Sequence, residues 1–356
     1  MSQPLLFDRF PGTRVMPWVP LAAVPTPVER IQLELERPVV AWVKRDDRTS
    51  DVYGGNKVRK LEFILAHAQA RGARRLITAG AAGSHHALAT TVYGVQLGFA
   101  STLVLFPQPL TEHVREVLLT DQALGAELRW TDRMTMVPAA IMAARLVHWR
   151  DRVQIIPPGG SDPIGTLGYV NATLELGAQI EAATLPVPDE IVVAAGTLGT
   201  AAGIAIGLAA LGLPTRVRGT RITSRLVCNE RALHGLIRAA VALLNRHGAD
   251  MSAAAAIERV ALSHRQIGTG YGRVTDAAVA AGAAFESAGL QVDPTYTAKA
   301  AAEFLAVLRE RPDARLLFWH TLSATLPRVT LPPVSALPPR FRAYLETATP
   351  KAMTLP

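Results

Sequence analysis

Lys57 stands behind a glycine pair and an asparagine in the run Gly54-Gly55-Asn56-Lys57-Val58-Arg59-Lys60. Two glycines let a backbone turn tightly or approach a ligand closely. Val58, Leu61, Leu65 and Ala68 then recur at helical spacing, so the lysine sits where a helix begins. A lysine amine in a partly desolvated place forms Schiff bases with carbonyl compounds. An ordinary helix start with solvated lysines is the competing reading of the same run. A second stretch, Gly196-Thr197-Leu198-Gly199-Thr200, separates a β-branched apolar run from a helix-period segment. A glycine loop at a helix N-terminus offers free N–H groups and the positive end of the helix dipole, which suits a phosphate. The loop lacks both the Walker Gly-Lys-Ser/Thr and the dinucleotide Gly-x-Gly-x-x-Gly pattern. Close helix–sheet packing is its other use.

Gly83-Ser84-His85-His86 also joins an apolar run to a helical one. A serine hydroxyl beside the first helical N–H groups makes a carboxylate cradle, or simply an N-cap. Neighbouring histidines face different ways on a helix, and none of the 9 histidines forms a His-x-x-x-His pair. The lone cysteine, Cys228, permits no intramolecular disulfide and no cysteine-built zinc site, so no metal is expected. Tyr271, between Gly270 and Gly272, and Tyr296, in Asp293-Pro294-Thr295-Tyr296-Thr297, follow turn-forming residues. Each alone is more often a packing residue.

The elements that must position these groups alternate. Strands are predicted at Leu76–Thr78, Thr102–Phe106, Glu127–Trp130, Val153–Ile156, Glu190–Ala195, Arg216–Thr223 and Arg315–Trp319. Helices are predicted from His86 to Leu97, from Met136 to His148 and from the glycine loop to about Leu211. Strand–helix alternation implies βαβ units, hence an α/β fold with open, mostly parallel sheets flanked by helices. The glycine pairs Gly54-Gly55 and Gly159-Gly160 suggest two domains: residues 1–68 with 170–356, and a smaller α/β domain of 69–169 inserted between them. After Pro327 the chain is proline-rich, with only Phe341–Leu345 reading as helical.

The 356 residues are 49% hydrophobic and 19% charged, enough to build a core and too apolar for overall disorder. The net charge of +8 comes from basic residues scattered along the chain, without a nucleic-acid-reading motif, so no nucleic-acid partner is expected. Ile191–Leu213 is uncharged and long enough to span a bilayer. Its five glycines and its β-branched start read better as a buried strand, turn and helix, so no membrane partner is expected either. Met1–Arg14 contains no apolar signal core, and with one cysteine the expected compartment is the cytosol.

Taken in order, Lys44-Arg45-Asp46-Asp47, Gly54 to Glu62, Ser84, Gly159-Gly160-Ser161, Gly165 to Tyr169, Gly196 to Thr200, Tyr271, Asp293 to Thr297 and His320-Thr321 resemble a known group. It is the pyridoxal-phosphate enzymes of the tryptophan-synthase-β fold, in the branch of 1-aminocyclopropane-1-carboxylate deaminase and D-cysteine desulfhydrase. The resemblance spans about residues 40 to 325. It implies Lys57 as the Schiff-base lysine and Cα base, and Lys60 beside the Gly196, Thr197, Leu198, Gly199 and Thr200 backbone as the phosphate contact. It implies Asn56 and His85 near the cofactor ring and its 3′-oxygen, and Ser84 at the substrate carboxylate. Tyr271 and Tyr296 would lie over the substrate and Thr297 beside the pyridine nitrogen. A hydroxyl there leaves that nitrogen largely neutral, a weaker electron sink that suits β-elimination.

In this branch deaminases carry an acid after the second tyrosine and a leucine after the C-terminal histidine; here Thr297 and Thr321 stand there, the desulfhydrase pattern. Two positions depart from the family: His85 replaces an asparagine, and Leu322-Ser323 replace a glycine pair. The resemblance thus implies α,β-elimination from a small amino acid to pyruvate and ammonia by a homodimer. Alternatives are another reaction on the same cofactor (ring-opening deamination, β-replacement, racemisation or a specialised biosynthetic step) or a catalytically idle binding protein.

Overall fold

The computed structural model describes residues 3–34 and 38–346. Ten strands are present among them: β1 (Val28–Glu34), β2 (Pro38–Arg45), β3 (Arg75–Ala81), β4 (Ala100–Phe106), β5 (Glu127–Trp130), β6 (Val153–Ile155), β7 (Glu190–Ala195), β8 (Arg216–Arg221), β9 (Val260–Ser263) and β10 (Leu316–His320). They form a six-stranded sheet, β1-β2-β10-β7-β8-β9, and a four-stranded sheet, β5-β4-β3-β6. Only the edge pair β1–β2 is antiparallel; every other pairing is parallel. The α/β class with parallel sheets is therefore as the alternation predicts.

The chain divides into two compact units, one holding residues up to His67 and Gly159–Leu326, the other Ala68–Pro158 and the stretch from Pro327. The division differs from the expected 69–169 in two places, each with a packing reason. The helix Pro163–Glu181 belongs with the helix Gly199–Leu211: a Cβ at Gly203 would sit 2.4 Å from the Tyr169 Cβ, and one at Gly207 2.4 Å from the Thr173 Cβ. Glycines four apart share one helix face and let the two backbones approach. At the other end, the helix Pro339–Glu346 buries Phe341 and Leu345 with Leu103, Leu105 and Leu118 of the second unit.

The uncharged Ile191–Leu213 segment is strand β7, a turn and the Gly199–Leu211 helix. Ile191, Val192 and Val193 are wholly buried, as a strand covered on both faces requires. No helix among the described residues is long and apolar enough to cross a membrane. Strands β1, β2 and β9 are additions to the sequence reading. In β2, an apolar run opens at a proline and closes on Lys44-Arg45, which hides its strand character.

Candidate active site

The helix Asn56–Ala70 starts against the end of β10. Gly55 has φ +82°, and a Cβ there would lie 2.9 Å from the Thr321 carbonyl oxygen. That oxygen accepts the Asn56 N–H at 3.2 Å. Ser323 Oγ accepts the Gly54 N–H at 2.8 Å, so Thr321 and the Leu322-Ser323 departure meet the glycine pair through backbone support. Asn56 then bridges two of the predicted groups. Its Oδ1 accepts from Lys57 Nζ at 2.7 Å, and its Nδ2 donates to Thr200 Oγ1 at 3.0 Å. Lys60, three residues on and so on the same helix face as Lys57, donates to the Gly159 oxygen and to Ser161 Oγ, each at 3.1 Å.

The glycine loop closes this cluster. Leu198 holds the left-handed conformation (φ +74°), which costs a branched side chain energy, and its side chain is buried. The kink aims the loop so that the Gly199 N–H donates to Ser161 Oγ at 3.2 Å, while Ser161 Oγ and Thr197 Oγ1 are 2.8 Å apart. A Cβ on Gly199 would come within 2.7 Å of Ser161 Oγ and 2.8 Å of Lys60 Nζ. Only glycine leaves that approach open. No side chain caps this helix by accepting from its first turn through the Leu198 position, so the dipole's positive end faces the lysines.

Burial lowers the Lys57 amine to about 8, with the negative charge of Asp293 offsetting part of the effect. Burial also carries Lys60 well below the usual lysine range; the neighbouring Lys57 charge pushes the same way and Asp162 opposes it. The hydrogen-bond partners of both amines are neutral oxygens, and neither forms an ion pair among the described residues. A buried amine and a half-buried one, neither in an ion pair among the described residues, beside a helix start that Leu198 does not cap are an arrangement suited to an anion.

The tyrosines converge next to this cluster. Their rings meet edge to face with centroids 5.9 Å apart, and the Tyr271 and Tyr296 hydroxyls are hydrogen-bonded. A Cβ at Gly196 would lie 3.9 Å from Tyr296 Cε1, which places that ring at the glycine loop. Burial pushes Tyr271 up to about 12 and Tyr296 well above its usual value, so both remain protonated at neutral pH.

Asp293, a residue without an assigned role in the sequence reading, organises the second tyrosine. Its carboxylate accepts the N–H groups of Thr295, Tyr296 and Thr297 at 3.0, 2.7 and 3.0 Å, and the Thr297 hydroxyl at 2.7 Å. Thr297 Oγ1 in turn accepts the Asp293 N–H at 2.8 Å. The Thr297 hydroxyl proton is thereby committed to Asp293 within a closed loop. The charge of Asp293 also acts on Lys57, both tyrosines and His320. An aspartate just ahead of a helix in an Asp-Pro-Thr turn was the available signal. His320 Nε2 donates to the Gln291 carbonyl oxygen at 2.7 Å, and burial lowers its pKa, which keeps it neutral.

Ser84 and His85 belong to the second unit, where they follow β3. Ser84 is the N-cap of the helix His85–Gln96 and accepts the Ala87 N–H at 3.2 Å. A Cβ on Gly80 would overlap Ser84 Oγ at 2.4 Å, so a glycine is required beneath it. The His85 ring stacks on His113 with centroids 4.6 Å apart. Of the residues singled out in the sequence, Asn56, Lys57, Lys60, Gly196, Thr197, Gly199, Thr200, Tyr271 and Tyr296 are gathered within the first unit by these contacts.

The chain is similar to known proteins over most of its length. The family described as pyridoxal-phosphate dependent enzyme matches residues 19–321. Nocardicin C-9′ epimerase of Nocardia uniformis subsp. tsuyamanensis is 36% identical over 340 residues, 93% of this chain and 99% of that protein. D-cysteine desulfhydrase of Salmonella schwarzengrund is 32% identical over 319 residues, 86% of this chain and 93% of that protein. A crystal structure of an ACC deaminase homologue superposes with a TM-score of 0.75 at 31% identity, covering 90% of this chain and 95% of that one.

Proposed function

The chain belongs to the pyridoxal-phosphate dependent enzymes of the tryptophan-synthase-β fold, and on that premise we propose that Lys57 anchors the cofactor and moves the Cα proton of a small amino acid that then loses its β-substituent. The observation that carries this reading is the Lys57–Asn56–Thr200 chain beside Lys60, two amines that bond only neutral oxygens among the described residues. A dianionic phosphate at the uncapped helix start supplies a counter-charge, and Gly199 leaves room for it. The residues present therefore fit the cofactor. When bound, pyridoxal phosphate supplies an electron sink that acidifies the Cα–H bond.

The remaining roles fall to the chain's own groups. Lys60, the Thr197 and Thr200 hydroxyls and the Gly196–Thr200 amides hold the phosphate. Asn56 fixes the Lys57 amine by its 2.7 Å contact and orients it toward the reacting face. An amine that titrates near 8 exchanges a proton at neutral pH far more readily than an ordinary lysine. Ser84, with the first N–H groups of its helix, meets the substrate carboxylate, and His85 contacts the cofactor ring. Tyr271 and Tyr296 cover the substrate and exclude water. Thr297 and Thr321 mark the desulfhydrase pattern. With D-cysteine the Cα proton passes to Lys57 and the β-sulfur leaves as sulfide. Addition of water then gives pyruvate and ammonia. We place this chemistry in the cytosol, in a homodimer; the buried thiol of Cys228 needs no oxidising compartment.

Epimerisation at Cα is the second reading, favoured by the likeness to nocardicin C-9′ epimerase along almost the full length of both chains. It uses the same proton abstraction, and the proton returns to the opposite face. A panel of D- and L-amino acids separates the two. Elimination releases pyruvate from D-cysteine, whereas epimerisation inverts the substrate and exchanges its Cα proton with solvent deuterium without pyruvate. Protein that gains no visible absorbance with pyridoxal phosphate, in wild type as in Lys57→Ala, would falsify the anchoring role.

A further inference from the structure

Lys299 is wholly buried in the first turn of the helix Thr297–Glu310, the helix that begins directly after Tyr296. Its Nζ donates to the Ile267 oxygen at 2.8 Å and reaches the Gly270 oxygen at 3.4 Å. The first carbonyl lies just ahead of the loop that presents Tyr271, and the second belongs to the residue before that tyrosine. The loop, Gly268-Thr269-Gly270-Tyr271-Gly272, places three glycines at positive φ: +62°, +145° and +73°. Such a segment loses much chain entropy on ordering and has no regular hydrogen-bond ladder of its own. One amine thus ties the Tyr271 loop to the turn that carries Tyr296.

A role in stability alone does not account for this residue. Among the described residues Lys299 makes no ion pair, and its partners are neutral carbonyls. Burial accordingly lowers its pKa. A buried amine without a counter-charge is costly, and a methionine of similar length fills the same space without desolvating a charge.

We propose that Lys299 is a positioning residue, clamping the Ile267–Gly270 loop so that the Tyr271 hydroxyl meets that of Tyr296 and the pair presents one fixed face. The consequence for turnover rests on the reading that these tyrosines cover the substrate; the clamp itself does not.

The test uses Lys299→Met in the protein loaded with pyridoxal phosphate, with Lys299→Gln, which keeps one donor, as the variant to use if the first fails to accumulate. Amide exchange across residues 267–273 is expected to quicken by about tenfold or more, while the melting temperature stays level or rises and the cofactor absorbance per chain is kept. With the amino acid that wild type turns over, kcat/KM is expected to fall by about 10- to 100-fold, since small misplacements of positioning groups cost that much. Loop exchange equal to wild type overturns the clamp, as does a fall in melting temperature with the loop unchanged, the behaviour of a plain core residue. Faster exchange with unaltered kcat and KM upholds the clamp and overturns the placement of the tyrosines over the substrate.

Discussion

One helix, Asn56–Ala70, carries buried cations of two kinds. Arg59 faces carboxylates: it bonds Asp46 at 2.7 and 2.9 Å and Glu175 at 3.0 and 3.1 Å. Lys44 joins the same network through Glu175 and the Thr26 oxygen, and Tyr169 and Trp319 donate to Asp46 at 2.7 and 2.8 Å. Two cations meet two carboxylates there, so the charges cancel, and Asp46 and Glu175 sit below their usual pKa because Arg59 and Lys44 outweigh burial. Lys57 and Lys60 point the other way and meet only neutral oxygens. Arg59, Lys44 and Lys60 are buried and Lys57 is half-buried; the main difference between the sets is their partners. The balanced set can fix the helix, whereas the unbalanced set awaits an anion from outside and is a poor source of stability.

Lys57→Ala is the sharpest way to break that contrast. If the unpaired amine is the working group, turnover falls by about 10³-fold or more, in the range lost with an acid–base or nucleophilic group, and cofactor absorbance shifts. Folding is not weakened, and near neutral pH it gains, because the cost of desolvating the unpaired amine is removed. Steady-state product release and a urea melt on the same preparation check both halves. A large loss of stability with retained turnover would reverse the assignment.

Arg59→Met probes the balanced set. It strands Asp46 and Glu175 without their main counter-charge, and removing one partner of a buried pair costs about 3–5 kcal/mol. Denaturant unfolding of the apoprotein measures it. A cost under about 1 kcal/mol, in the range of an exposed pair, would mean that the network is not the anchor of the helix.

Lys60→Met and Gly199→Ala should do the opposite. Apoprotein stability is expected to stay within about 1 kcal/mol for Lys60→Met. Affinity for pyridoxal phosphate should drop by about 10- to 100-fold, the loss typical of one charge-assisted contact. Inorganic phosphate should raise the melting temperature of wild-type apoprotein, because it binds only the folded state. It should do so far less for either variant. The alanine acts sterically, since its Cβ would intrude between Ser161 Oγ and Lys60 Nζ.

Much of the unbalanced set could be read from the chain, since its signals are local. Glycine pairs, a loop between an apolar run and a helix, and a lysine at a helix start each occupy a few consecutive residues. The balanced set could not be read in this way. Glu175 meets Lys44 and Arg59 from 131 and 116 residues away, and nothing around it marks a glutamate for burial. Asp293 sits between these cases, because its turn is visible locally while its charge acts on groups from distant segments. Lys299 falls within an apolar helix pattern where a lysine reads as solvated. The small unit's limits were obscured because the Pro163–Glu181 helix is assigned by its glycine contacts with another helix, which no local pattern displays.

The smallest effect is a pH dependence, and it separates the two sets by range: stability rises with pH for both, from about 8 upward for Lys57 and in acid for Asp46 and Glu175. Lys57 titrates near 8 in the folded protein, below the roughly 10.4 of an exposed lysine. Between those values the unfolded chain holds more protons than the native one, so stability rises with pH across that window. Burial lowers Lys60 as well, which adds to the rise. Asp46 and Glu175 are depressed, so their contribution is complete above the unfolded carboxyl range near 4 and is lost as pH falls through their folded values. Subtracting the Lys57→Ala curve from wild type isolates the amine, because the tyrosines and other titrating groups are common to both. The difference should grow from pH 8 to about 10 in apoprotein. It should shrink once phosphate is added, because a bound anion favours the charged amine and lifts its folded pKa toward the unfolded value. A flat difference curve in phosphate-free buffer would mean that the Lys57 amine is already balanced by a charge within the chain.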